Sequence, residues 1–405
     1  MTRPELRTAT VAEKSGTIRA SLLDVAKTRI SDAVLMGLFM VVMLIPGTPL
    51  GVHTAAMAAL VFLASFRRPT RTFRDGQWYV GLCAAILLYL AIGAFFSGIT
   101  SADVTRFIRI ILLMTVGGFI GSGRIDLRSG LRGIAVVLIA NVPLFYAGLL
   151  PDNYGGLLTG VLGDKNVAGL TYAIFTILLM LLTTRLWTQV LVLAGGSVAV
   201  VLTDSRTSIA ALAAGVLWLV AARYLNPFLK VCLAVAIYLA FEFAETNFAQ
   251  VGGYVAREGS DALRERIDGA SLEKVNASPW FGAGLGEAQV TVAGDSWFFH
   301  NAYWGLLVEG GYPLIIGVLA LVAFAGMQFN AKGAATRESR IVEASAIVLL
   351  LCSFRLGETF FSIPGFMVIG VGLAVYLERE REWRSGQVPS WSTGLVPLPD
   401  EMSRR

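Results

Sequence analysis

The sequence predicts an all-α polytopic membrane protein with about twelve transmembrane helices and one large extracytoplasmic loop between the ninth and tenth. Three observations predict it. Of 405 residues, 55% are hydrophobic and only 15% charged, whereas a soluble domain carries about a quarter charged residues. The mean hydropathy is +0.67. The apolar residues also fall in separate runs, many of them near the ~20 residues that cross ~30 Å of hydrocarbon.

In chain order, residues 1–32 form a cytoplasmic tail. Its segment Thr17–Ala33 sets Ile18, Leu22, Val25, Ala26 and Ile30 at helical spacing, with Arg19, Lys27 and Arg29 elsewhere around the turn, and predicts an interfacial amphipathic helix. Residues 33–244 hold nine runs: Ala33–Pro46, Leu50–Phe66, Trp78–Gly98, Phe107–Gly121, Ile134–Leu150, Val167–Thr184, Leu186–Thr203, Thr207–Ala222 and Phe228–Ala244. Residues 245–311 are the large extracytoplasmic loop. Residues 312–378 hold Tyr312–Gln328, Glu343–Phe354 and Ile363–Leu377, and residues 379–405, rich in Pro, Ser and Gly, form a flexible cytoplasmic tail. No transporter-like internal repeat is evident.

The net charge of +5 would suggest nucleic acid in a soluble protein. Here the basic residues collect between apolar runs, where they set orientation, so nucleic-acid binding is excluded. They are dense in Arg67–Asp75, Arg124–Arg132, Lys332–Arg340 and both tails, and lie around Arg223 and Lys230. With an even number of spans these segments share one side, the cytoplasm. Cys83, Cys232 and Cys352 lie inside apolar runs without metal-ligand spacing, which excludes a disulfide framework. A cleaved signal peptide is not expected, because the first apolar run starts only after about 30 mostly polar residues and no small-residue cleavage site follows it.

Polar residues beside apolar runs on the outer face are the candidates for chemistry. Asp164 reads as a helix cap ahead of Lys165 and Asn166. Arg206 opens a helix, where the dipole favours an anion, so that with Thr207 and Ser208 it suits a bound phosphate; a snorkelling interfacial arginine is the other reading. Arg257, Arg264 and Arg266 in the outer loop do not serve the positive-inside rule, although Glu265 and Asp268 could simply pair with them. The glycines of "GAGLG" (Gly282–Gly286) fit close loop packing; with no Lys-Ser/Thr following, they are not a nucleotide loop. His300 and Asn301 start a short surface helix that "GGYP" (Gly310–Pro313) breaks, and an imidazole there suits either a general base or a structural role. Arg355 and Glu358, between the last two runs, read most simply as partners of each other.

Together these residues resemble the O-antigen ligase and O-antigen polymerase superfamily. The resemblance rests on His300–Asn301, nine residues, then Gly311; on Arg206 in "DSRTS"; and on Arg264 through "SPWFGAGLGEA", with Arg266 the near alternative. Leu314 departs from the family pattern, which has Gly, Thr or Tyr there. The resemblance implies a glycosyltransferase of a bacterial inner membrane, N- and C-termini cytoplasmic, acting in cell-surface polysaccharide biosynthesis. It implies an undecaprenyl-diphosphate-linked glycan donor, a glycan or lipid-linked glycan acceptor, and the lipid bilayer as partners. On this reading Arg206 and Arg264 bind the donor diphosphate and His300 takes the proton of the attacking hydroxyl, inverting the anomeric centre. Asn301 and Glu309 orient His300 or the sugar, and Lys165 and Arg355 are further headgroup candidates. No Asp-x-Asp cluster stands in the outer segments, so neither metal nor cofactor is expected. Alternatives are transfer to protein or wall polymer and, from another class, a lipid-linked glycan flippase or transporter.

Overall fold

The computed structural model describes residues 28–48, 50–97, 101–248, 258–333 and 335–385. Most of the expected amphipathic helix over Thr17–Ala33 and of the C-terminal tail lies outside them. The described chain is mainly helical: α1 (Ile30–Leu38), α2 (Val52–Ser65), α3 (Gln77–Ser97), α4 (Ser101–Gly121), α5 (Leu127–Tyr146), α6 (Lys165–Leu178), α7 (Leu186–Leu202), α8 (Arg206–Ala221), α9 (Pro227–Phe248), α10 (Glu258–Ala277), α11 (Ala302–Leu321), α12 (Arg337–Cys352) and α13 (Ile363–Ser385). Each apolar run of the sequence carries one of these helices, and α10 is the charged helix of the long loop.

Among the described residues, six helices are long and apolar enough to cross a membrane: Arg74–Phe96, Asp103–Gly121, Leu127–Tyr146, Lys165–Leu182, Arg206–Tyr224 and Ala302–Gly326. Val52–Ser65 and Leu186–Leu202 are shorter apolar helices. The first run falls furthest short. It is helical for only nine residues, because a turn at Pro46–Gly47, with φ of +80° at the glycine, folds the chain back through a Leu44–Gly51 bridge.

Two expectations need correction. The fold is not purely α, since Gln289–Val292 (β1) and Asp295–Phe298 (β2) form an antiparallel hairpin in the long loop. "QVTVAGDSWF" alternates side chains across two β-prone strands, and Gly294 at φ +94° makes the turn. Residues 379–385 also continue α13 rather than belonging to a flexible tail. Arg379 donates to the Gly333 carbonyl at 3.0 Å, and Glu380 accepts from the Lys332 amide at 2.8 Å, which docks this last part of the helix.

At the centre, α12 packs on α8, α6 and α13, while α13 also packs on α4 and α1 packs on α5. Helices α6 and α12 are buried on nearly every face, as expected of helices surrounded by protein. Small residues allow the closest crossings: a Cβ on Gly133 would stand 1.7 Å from the Ala33 carbonyl oxygen. The basic loops meet at one end of the bundle. There Arg67 pairs with Asp32 at 2.6 Å, Arg71 with Glu378 at 3.4 Å, and Arg384 with Asp75. The alternate loops meet at the other end. Val42 N donates to Val161 O at 2.9 Å, Leu158 N to Leu202 O at 2.9 Å, and Ala302 N to Ser353 O at 2.8 Å. The sorting of loops by their Lys and Arg content is therefore reproduced in the geometry.

Candidate functional site

A cavity of about 550 Å³ opens at the end away from the basic loops. Its wall is mostly apolar. The polar groups on it include His53, Arg106, Arg109, His300, Asn301, Glu309, Arg355 and Glu358.

Local structure places His300. The hairpin delivers the chain to Phe299, which is buried against Ala288 and Val308, and whose amide donates to the Ala288 carbonyl at 3.1 Å. Asn301 then caps α11, its side-chain oxygen accepting from the Tyr303 amide at 2.9 Å and the Trp304 amide at 3.2 Å. His300 is thus fixed between a buried aromatic anchor and a helix cap. Its ring Nδ1 lies 3.3 Å from Asp268 Oδ1 on α10.

Ten residues below the cap, Gly311 breaks α11 with φ 60° and ψ −160°, backbone that only glycine adopts readily. Such a break frees backbone groups that the helix would otherwise pair. The loop before the hairpin satisfies them. Ala283 N donates to Val308 O at 2.7 Å, Gly284 N to Glu309 O at 3.2 Å, and Tyr312 N to Trp280 O at 3.1 Å. The Tyr89 hydroxyl on α3 lies 2.7 Å from Phe281 O and 3.0 Å from Gly310 O. This close apposition is what the glycine-rich stretch provides, since a Cβ on Gly282 would stand 2.6 Å from Gly310 Cα.

Beneath His300 lies a cluster of charges. Glu309 is buried, forms an ion pair with Arg106, and accepts from the Gly286 amide at 3.2 Å. Glu358 lies 3.0 Å from Arg106 Nε and 2.6 Å from Arg109 Nη2. The expected Arg355–Glu358 pair does not form; Arg355 instead pairs with Glu242 on α9 at 3.4 Å. The reason is the turn after α12, which sends Arg355 toward α9 and Glu358 toward α4. At the rim, Asp164 caps α6, accepting from Asn166 N at 2.7 Å and Val167 N at 3.1 Å. It also accepts from the Tyr154 hydroxyl, whose pKa is pushed up to about 12 by burial and by this bond. Lys165 stands 5.9 Å over the Tyr154 ring.

Of the residues singled out in the sequence, His300, Asn301, Glu309 and Arg355 line the cavity, whereas Arg206, Arg264, Arg266 and Lys165 do not. Glu309 reaches Arg106 rather than His300, and the Asn301 oxygen is engaged by the cap. Arg206 opens α8 beside Ser205 and Ser208, whose hydroxyls bond each other at 2.8 Å. Arg264 and Arg266 are both exposed on α10. Sequence reasoning passed over His53, Arg106, Arg109 and the contact of Asp268 with His300. Arg106 and Arg109 carried a readable signal, being one turn apart at the end of a span where the positive-inside rule has no use for them.

Residues 190–319 match the sequence model of the family described as O-antigen ligase. Over that stretch, about a third of its length, the chain is similar to an O-antigen ligase domain. This match and the apolar helices support an integral membrane protein with a glycosyltransferase-type role. The ligase domain runs from within α7 to near the end of α11, so it holds Arg206, Arg264, Arg266, Asp268, His300, Asn301, Glu309 and Gly311. Arg106, Arg109, Lys165 and Arg355 come from outside it. No curated protein matches the chain.

Proposed function

We propose that this protein transfers a glycan from undecaprenyl diphosphate to a hydroxyl of an acceptor glycan at the outer leaflet of a bacterial inner membrane, in cell-surface polysaccharide biosynthesis. The observation that carries the reading is His300, fixed by an anchor and a cap at the mouth of a cavity whose polar groups include arginines. In this reaction the acceptor oxygen attacks the anomeric carbon and its proton passes to His300. The bond from that carbon to the diphosphate oxygen breaks, and undecaprenyl diphosphate leaves with the electron pair. A single displacement of this kind inverts the anomeric centre. Arg206 and Arg264 bind the diphosphate and neutralise its growing charge, with Lys165 and Arg355 as further headgroup contacts and Arg266 the near alternative to Arg264. The chain divides functionally as its sequence suggests, into a cytoplasmic N-terminal segment over 1–32, spans over 33–244 and 312–378, a catalytic outer loop over 245–311, and a cytoplasmic C-terminal segment from 379.

Deletion of the gene, followed by complementation and analysis of surface glycan and lipid-linked intermediates, tests the proposal. The wild-type chain restores surface glycan and His300→Ala does not. Accumulated single-repeat lipid intermediates identify a polymerase, and accumulated long lipid-linked chains a ligase. Full activity in both His300→Ala and Arg206→Ala would sink the mechanism.

A further inference from the structure

His300 stands between two cavities. It lines the 550 Å³ cavity, while Asp268, its partner, lines a neighbouring recess of about 300 Å³ together with Glu242, Trp304 and Phe354. Asn301 and Arg355 contribute to both. The imidazole therefore presents its two nitrogens differently. Nδ1 faces Asp268 at 3.3 Å, and Nε2 is on the opposite edge of a ring whose residue lines the larger cavity.

We infer that Asp268 is a positioning residue that holds His300 in the tautomer with hydrogen on Nδ1, leaving Nε2 with its lone pair as the proton acceptor. A neutral imidazole carries one N–H, and the hydrogen bond made by one nitrogen decides what the other can do. A carboxylate only accepts, so it selects Nδ1–H. The two partners ride on elements fastened to each other, which keeps the pair in register. On α10, Ile267 and Ser271 are buried, and Lys274 donates to Glu287 at 2.8 Å and to the Gln289 carbonyl at 3.0 Å, tying the helix to β1. Strand β2 leads directly into Phe299 and His300, and the Ala302 amide is bonded to the Ser353 carbonyl on the other side. The contact thus joins two segments of the outer loop that are already clamped on both flanks. Its catalytic consequence rests on the glycosyl-transfer reading above.

The chain has two histidines, which makes the tautomer directly measurable. Full-length protein labelled with ¹⁵N-histidine in detergent gives two sets of ring signals, and His53→Gln assigns them. In the neutral ring, His300 is expected as Nδ1–H. In Asp268→Asn, where an amide donates as readily as it accepts, and in Asp268→Ala, the Nε2–H form should become substantial. Initial rates of glycan formation should fall by roughly tenfold or more, measured with the lipid-linked glycan that accumulates in membranes of the deletion strain. Asp268→Glu should recover both readouts in part. An unchanged His300 tautomer in both Asp268→Asn and Asp268→Ala would overturn the inference whatever the rates. A shifted tautomer with undiminished glycan formation by His300→Ala would leave the Asp268 contact standing and remove the glycosyl-transfer reading instead.

Discussion

Glu309 of α11 and Arg106 of α4 form an ion pair at the base of the cavity, with the carboxylate buried and the guanidinium largely so. The Gly286 amide donates to the same carboxylate at 3.2 Å, so three distant segments converge on one side chain. Removing one partner of a buried pair leaves an uncompensated charge. Glu309→Ala is therefore expected to cost about 3 kcal/mol, the lower end for such a loss, because Glu358 remains beside Arg106. The double variant Arg106→Met, Glu309→Leu should be less destabilised than the sum of its singles. Thermal unfolding of the purified protein decides this, and strictly additive costs would mean that the two do not act as a pair.

Asn301 accepts from two amides of the first turn of α11. Asn301→Ala should lower stability by about 1 kcal/mol, the usual cost of an N-cap, and should reduce glycan formation because the neighbouring His300 loses its fixed approach. Asn301→Asp keeps the cap oxygen and should keep the stability. Equal melting temperatures for the alanine and aspartate variants would argue against this role.

At Gly311 an added methyl group meets both backbone strain, on the order of 1–3 kcal/mol, and the Trp280 carbonyl oxygen at 1.9 Å. Gly311→Ala should sharply reduce the yield of folded protein. Gly305, six residues earlier in the same helix, is the control. A Cβ there would find the Ala288 side chain at an ordinary 3.6 Å, so Gly305→Ala should fold as well as wild type.

Arg264 lies one helical turn before Asp268 and so shares its face of α10, whereas Arg266 is about 200° around the helix from Arg264. Arg264→Gln should reduce glycan formation at least tenfold, as loss of a charge-stabilising donor does, while Arg266→Gln should stay within about twofold. The reverse order would move the diphosphate contact to the other face.

Tyr154 gives a pH-dependent contact at the rim. Its phenol titrates ordinarily at 10.0 and here at about 12. The raised value means that its bond to Asp164 is fully present below pH 10 and is lost as pH rises through about 12. In an ultraviolet titration compared with wild type, Tyr154→Phe should lack one phenolate appearing near 12. A missing phenolate near 10 would contradict the contact.

Much of this architecture was readable from the chain. Apolar runs and the position of Lys and Arg gave the helices and the two ends of the bundle, because both follow from one-dimensional rules about lipid and charge. Asp164 as a cap was equally local. The charge cluster was not readable, since Arg106 and Glu309 come from two different helices and Glu358 from the turn after α12, and nothing along the chain says which partner each will meet. Arg355 shows the cost of local inference: Glu358 is three residues away in sequence, yet Glu242 is the partner in space. Asp268 resembled an ordinary solvent-facing charge of a polar helix until the hairpin, itself too short to announce a fold, carried His300 beside it.

The nine residues between the Asn301 cap and Gly311 act as a ruler. At 1.5 Å and 100° per residue they measure about 13 Å and two and a half turns, from the imidazole at the mouth of the cavity to the point where the long loop is stitched to the helix. Their number fixes both the depth and the compass bearing of the Gly311 break relative to His300. Adding or removing a single residue would swing everything beyond it by about 100°, so the gap in the His-Asn…Gly pattern specifies as much as its letters do.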